Sequence, residues 1–180
     1  MKLVKLFLVL FLFFPSVAFA ETSLSASIAV PKLNEERRID LKDDKSSFPI
    51  VIRNTSSSSQ KVWTEWYSWG YYSLSFEVTD ADGKKWEVRK KPSEWDKNIP
   101  QYWTLEPNDE LVIPVFINDA IWDGLGFLKE CDEYVCKIHV RMKAIYEVNA
   151  DQESNKQNVW AGKIISSENE YVFYNWKKQK

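Results

Sequence analysis

From Cys136 to Asn149 the even-numbered positions are all apolar (Cys136, Ile138, Val140, Met142, Ala144, Tyr146, Val148), and the odd ones carry Lys137, His139, Arg141, Lys143, Ile145, Glu147 and Asn149. A period of two sends alternate side chains to opposite faces of a pleated strand, whereas a helix would space its apolar residues three and four apart. The segment is therefore predicted to be a long strand with one oily and one wet face. Ile145 alone breaks the pattern. A strand so one-sided must find a second layer to cover its oily face.

Shorter runs repeat this pattern. Leu74, Phe76 and Val78 alternate with Ser75 and Glu77, Asp80-Ala81-Asp82-Gly83 reads as a turn, and Trp86 and Val88 alternate with Glu87 and Arg89, which predicts a hairpin. Phe48 to Arg53 reads as a strand that ends in the polar tract Asn54 to Gln60, with Lys61 to Tyr67 as its successor. Glu110 to Ile117 is another strand, placed at a sheet edge or bulge by Pro114, which cannot donate to a ladder. Ser23 to Val30 opens the set, and Val159 to Ile165 and Glu170 to Asn175 close it. With about eight or nine strands and no clean helical period, the natural architecture is all-β, two layers of antiparallel sheet. A closed barrel is the rival.

The chain begins with Lys2 and Lys5, an apolar run from Leu6 to Phe14, Pro15, and Ala18-Phe19-Ala20 before Glu21. This is the pattern of a cleaved signal peptide, residues 1–20, with residues 21–180 forming a single domain. The run falls short of the roughly 20 apolar residues that a spanning helix needs. No later segment is a candidate span, so a periplasmic or secreted protein is expected. Without the leader, 22 basic residues face 26 acidic ones, a balance that gives no reason to expect nucleic acid. An oxidising compartment favours a Cys131–Cys136 disulfide, whose short loop contributes only about 2 kcal/mol. The same Cys-x4-Cys spacing suits half of a metal site, but there is no second cysteine pair and only one histidine, so no metal is expected.

Catalytic motifs are missing. The one histidine, His139, shares the wet face of its strand with Lys137, Arg141 and Lys143, the setting of an ordinary surface imidazole rather than a catalytic base. Five glycines leave no phosphate-cradling loop and no dinucleotide fingerprint, so no cofactor is expected. The Asp80–Gly83 stretch resembles the start of a calcium loop, but the distal position that would be Glu is Lys91, and a hairpin turn explains it better. Asn54-Thr55-Ser56 matches a glycosylation sequon inside what reads as a flexible turn. A carboxylate pair is the remaining route to an enzyme, and the chain is read as non-enzymatic.

Nine tryptophans exceed what one β-core needs, and Trp63, Trp66, Tyr67, Trp69, Tyr71 and Tyr72 fall within ten residues. If Lys61 to Trp69 is extended, Trp63, Glu65, Tyr67 and Trp69 share one face and Val62, Thr64 and Trp66 the other. A second group, Trp95, Tyr102 and Trp103, sits in the connection from Lys90 to Leu105, where Pro92 and Pro100 argue against regular structure. These rings either plug the open end of the fold or form a binding surface. Trp69, Tyr71, Tyr72, Trp95, Tyr102 and Trp103 are the candidate ligand-binding residues.

The segment Leu105-Glu106-Pro107-Asn108-Asp109-Glu110-Leu111-Val112-Ile113, with Trp122 downstream, resembles a turn-then-strand pattern of bacterial immunoglobulin-like domains. It is similar to the intracellular proteinase-inhibitor family, whose Leu-x-Pro-Gly-Glu turn precedes an apolar strand; here Asn108-Asp109 replaces the Pro-Gly. Asn54-Thr55 after Phe48 to Ile52, and Ser75 to Asp80 before a glycine-containing hairpin, extend the likeness. Trp63-Thr64-Glu65-Trp66-Tyr67-Ser68-Trp69-Gly70 resembles a stretch of uncharacterised secreted bacterial proteins and implies no activity. The resemblance implies an immunoglobulin-like β-sandwich. The expected function is an exported module that binds a protein through an aromatic loop surface, with glycan binding and protease inhibition as alternatives.

Overall fold

The structure, a computed structural model, describes residues 23–42, 46–128 and 134–176. The expected leader 1–20, Cys131 and the tail Lys177 to Lys180 lie outside the described residues, as does any account of the expected disulfide. In chain order the strands begin with β1 (Leu24–Ile28), β2 (Lys32–Leu33), β3 (Glu36–Leu41), β4 (Phe48–Asn54) and β5 (Gln60–Trp63). After helix α1 (Ser68–Tyr71) come β6 (Leu74–Asp80), β7 (Lys85–Lys90), β8 (Tyr102–Leu105), β9 (Glu110–Val115) and β10 (Trp122–Asp123). Then follow β11 (Val135–Val148), helix α2 (Gln152–Gln157), β12 (Gly162–Ile165) and β13 (Asn169–Trp176). The all-β expectation holds, with thirteen strands among the described residues where about eight or nine were expected.

The long strand β11 is where the alternation placed it. Val140, Met142, Ala144, Tyr146 and Val148 are buried, and Lys137, His139, Arg141 and Glu147 are exposed. The odd residue out, Ile145, faces the wet side opposite Ile165, so the break in pattern is an outward apolar pair. β11 organises an eight-stranded sheet in the order β10-β7-β6-β11-β13-β3-β2, with β12 also paired to β11. Between the pairs Ile145–Ile165 and Met142–Asn169 one strand carries an extra residue, a bulge. There the Ala144 N–H donates to the Ser166 hydroxyl at 2.9 Å.

The predicted hairpin of β6 and β7 is present. Asp80 Oδ1 accepts from the N–H groups of Asp82 and Lys84, and Oδ2 accepts from Trp86 Nε1 at 2.9 Å, so the carboxylate organises the turn. Gly83 supplies the left-handed residue, φ 81°.

A second sheet has the order β1-β4-β9, and β5 pairs with β8 as a two-stranded ribbon. The ribbon continues the β4–β9 ladder beyond a joint at Asn54, which is fully buried. Its amide donates to the carbonyls of Ser58 and Leu105 at 2.8 and 2.9 Å, and its Oδ1 accepts from Ser56 N–H and hydroxyl. The residue that matched a sequon is thus a structural joint. Asn108, where the resembling family has its Pro-Gly step, takes the left-handed φ of 71°.

Pro114 lies at an edge as expected, for a reason visible in the register. Asn54 N–H bonds Asp109 O, and Ala29 N–H bonds Pro49 O, so even-numbered β4 residues face β9 and odd ones face β1. By the same alternation Glu110, Val112 and Pro114 turn their backbone groups away from β4, to the free edge, where proline's missing donor costs no ladder bond.

Both main sheets feed one apolar cluster that includes Leu24, Ile50, Ile52 and Ile113 from the first and Phe76, Val88, Met142 and Phe173 from the second. Phe48 meets Phe76 at 5.8 Å between centroids, and Phe76 meets Trp122 at 5.4 Å. Truncating fully buried Phe76 to alanine would cost about 3–5 kcal/mol. No helix among the described residues is long and apolar enough to cross a membrane.

Three expectations are corrected. Lys61 to Trp69 is not one extended run: β5 stops at Trp63, and the chain turns into α1 because Gly70 packs its bare Cα against the Thr64 carbonyl, where a Cβ would collide. The connection from Lys90 to Leu105 is not wholly irregular, since β8 recovers strand structure by pairing with β5 despite the nearby prolines. The sheets are not antiparallel throughout, because β13 and β3 pair in parallel over Val172–Arg38 to Asn175–Leu41. β3 shows no apolar alternation in the sequence, because charge dominates Glu36-Arg37-Arg38-Ile39-Asp40. Its outward carboxylates are held by Tyr174 and Trp176, with Tyr174 hydroxyl donating to Glu36 at 2.8 Å and Trp176 Nε1 to Asp40 at 3.2 Å.

Candidate functional site

Helix α1 is a single turn wedged between the end of β5 and the connection that leads into β8. Ser68 N–H donates to Asn98 Oδ1 at 3.1 Å while Asn98 Nδ2 donates to the Ser68 hydroxyl at 2.6 Å, and Ser93 N–H donates to the Tyr72 hydroxyl at 3.0 Å. These bonds pin residues 93–98 to α1. Trp95 is therefore folded back, half-buried, with its ring 5.3 Å from Tyr71 in an edge-to-face contact.

The six candidate rings divide. Trp69, Tyr71 and Trp95 are half-buried: Trp69 packs 6.0 Å from buried Trp63, and Tyr71 is edge-on to Tyr72 at 4.9 Å. Tyr72, Trp103 and Tyr102 are exposed, at 47%, 42% and 37%. Trp66, in the turn between β5 and α1, was not among the six but is the most exposed ring of the group, at 60%, and packs edge-to-face on Trp103 at 5.7 Å. Its even spacing with buried Val62 in an assumed strand disguised it; the turn at Glu65–Trp66 carries it outward. Half-buried and exposed rings are thus both present, in different residues.

Two ionisable groups of opposite sign, Glu65 and Lys90, interact near Tyr71. Burial pushes the Glu65 carboxyl up, and the positive charge of Lys90 offsets part of this. Burial likewise pushes the Lys90 ammonium down, moderated by Glu65. Lys90 Nζ lies 4.4 Å from the centre of the Tyr71 ring and 5.8 Å from that of Trp122, a cation–π position. Burial, with Glu65's charge acting in the same direction, holds the Tyr146 phenol above its ordinary range.

A cleft of about 470 Å³ runs past Tyr72, Ser73, Arg89, Lys90, Glu147 and Asn149. A neighbouring one of about 370 Å³, sharing Tyr72, Ser73, Glu147 and Asn149, reaches Trp63, Trp69 and Asp151. A third, of about 480 Å³, lies at the far end of β11 between Arg37, Asp80, His139, Arg141 and Glu170, and includes none of the candidate rings. His139 is exposed there, in the surface setting predicted for it. Among the described residues no group of three or more His, Cys, Asp or Glu is placed to hold a metal ion.

No protein-family model, no curated protein and no solved structure matches this chain.

Proposed function

We propose that this chain is an exported, non-enzymatic binding module of immunoglobulin-like design that engages a protein partner through the aromatic surface around β5 and β8. The observation that carries this reading is the Trp66–Trp103 pair: two rings that remain 60% and 42% exposed while locked edge-to-face. Large rings left in water but already ordered lose little entropy on docking, and each well-buried one contributes about 2 kcal/mol or more to an interface. The 77° between their planes makes a ridged surface rather than a flat shelf. That shape favours the side chains of a protein over the face of a sugar.

Glycan binding is the second reading, favoured by the cleft in which exposed Tyr72 stands among Arg89, Glu147 and Asn149, groups able to hydrogen-bond hydroxyls. One experiment separates the two. The full chain and the Trp66→Ser/Trp103→Ser variant are immobilised and exposed both to an exported-protein fraction and to panels of cello-, chito- and manno-oligosaccharides. Saturable protein capture that the variant loses, at an unchanged melting temperature, is the expected result. Oligosaccharide binding that Tyr72→Ala abolishes, with no protein captured, would overturn it.

A further inference from the structure

An unpaired strand edge is a template for another strand, and folded proteins blunt such edges by shortness, proline, charge or cover. The described edges follow this rule with one exception. β2 and β10 are two residues each. β9 carries Glu110 and Pro114 on its free side, and β12 carries Lys163. β1 lies alongside β11 and β12. β5 is covered because its Lys61 carbonyl accepts from Trp160 N–H at 2.8 Å. The exception is β8, Tyr102-Trp103-Thr104-Leu105, which holds no proline and no charge.

The register gives that edge a definite pattern. Thr64 N–H bonds Gln101 O, so the hydrogen-bonded pairs are Thr64–Gln101, Val62–Trp103 and Gln60–Leu105. Tyr102 and Thr104 fall between them and turn their N–H and C=O groups outward. Among the described residues no other strand pairs with β8, and Tyr102, Trp103 and Thr104 are all exposed.

We infer that this edge pairs with the same edge of a second copy of the chain, in antiparallel register about a two-fold axis through Trp103. The inference rests on the proposed protein-binding role of this surface and names its partner. The pattern is self-complementary. Setting Tyr102 opposite the second copy's Thr104, and Thr104 opposite its Tyr102, satisfies every outward N–H and C=O of both residues in both chains. β8 itself carries no charge, and the Lys61 ammonium, 4.2 Å from the centre of the Tyr102 ring, is held by the Gln157 carbonyl. Trp103 meets its counterpart at the axis as a non-hydrogen-bonded pair, Cα atoms about 4.5 Å apart, which brings the two exposed Trp66–Trp103 pairs into one apolar cluster. The product is a continuous four-stranded sheet, β5-β8-β8-β5.

Sedimentation velocity of the full chain over a wide concentration range tests this. A reversible monomer–dimer equilibrium is expected. Thr104→Pro removes an outward donor from each copy, and with it two of the four bonds, so the dissociation constant should rise on the order of tenfold or more. If that variant fails to fold, Trp103→Lys, which sets two like charges face to face at the axis, should produce the same loss. Trp103→Cys should form a covalent dimer through residue 103 under mild oxidation, since a Cα separation of about 4.5 Å lies within disulfide range. A wild type that stays monomeric at the highest concentration, or a dimer indifferent to Thr104→Pro and Trp103→Lys, would overturn the inference. A monomer that still captures a foreign protein through Trp66 and Trp103 overturns the pairing alone and leaves the binding role standing.

Discussion

β9 and β8 run in sequence along one side of the same two-stranded ladder, and they treat their free edge in opposite ways. The β9 half closes it with Pro114 and Glu110, whereas the β8 half presents Tyr102 and Thr104 backbone groups between exposed rings. The halves also differ in support. β4, the partner of β9, is backed by β1 and by a core containing Ile50 and Ile52. β5, the partner of β8, is held on its other side by the Trp160–Lys61 bond. The contrast teaches where this molecule invests order without sealing it. The β4–β9 half is closed on its outer side, and the β5–β8 half, anchored in the same core by Val62, Trp63 and Leu105, keeps Trp66 and Trp103 in water.

The largest way to break that contrast is at the joint. Asn54→Ala removes a buried amide that donates to the Ser58 and Leu105 carbonyls and accepts from Ser56, and so unties the two strand pairs where they meet. A loss of about 2–4 kcal/mol in denaturant midpoint experiments is expected. Hydrogen exchange should be uneven, faster at β5 and β8 than at β4 and β9. Uniform acceleration across both halves would mean that they are one cooperative unit and that the comparison is mistaken.

That joint was invisible to pattern reading, and the reason is physical. Asn54 follows an apolar run and opens a serine-rich tract, so composition alone marks it as a turn residue, and its role depends on Leu105, distant in the chain. Elements governed by local periodicity were legible: β11 from its alternation, β6 and β7 from the Asp80–Gly83 turn, and the edge position of Pro114 from its missing donor. Elements governed by pairing were not. β8 is four residues between prolines, and β3 is a charged strand whose single parallel partner, β13, lies at the other end of the chain. The rings divided for the same reason. An aromatic-rich stretch announces itself in the sequence, but the turn at Glu65–Trp66, allowed by the close approach of Gly70, decides that Trp63 is buried and Trp66 exposed.

A smaller effect probes the charges near Tyr71. Because burial raises Glu65 above the ordinary carboxylate range, its contribution to stability is fully present below that range and is lost as pH rises through the raised value. Glu65→Gln cannot titrate. The melting-temperature difference between wild type and variant should therefore favour the wild type most at acid pH and shrink as pH rises towards neutrality. At the alkaline end, Lys90, already pushed down by burial, loses its opposing charge in the variant and should give up its proton at a lower pH than in the wild type. A difference that stays flat across the acid range would place Glu65 in water rather than in a buried setting beside Lys90.

The smallest effect on stability, and the sharpest on the comparison, is expected at Pro114. Replacing it with valine restores an N–H on the free side of β9, where the ring removed none of the ladder's bonds, so unfolding free energy should change by no more than about 0.5 kcal/mol. What should change is the edge. With Glu110 as its only remaining guard, the β9 half gains an open donor and a β-branched side chain beside exposed Val112, a combination prone to strand addition. Sedimentation of Pro114→Val should show association beyond the wild type, and Thr104→Pro introduced alongside it should leave that added component intact, because it arises on the other half. If Pro114→Val behaves as the wild type at every concentration, the proline is a passive occupant of the edge, and the difference between the two halves rests on the rings alone.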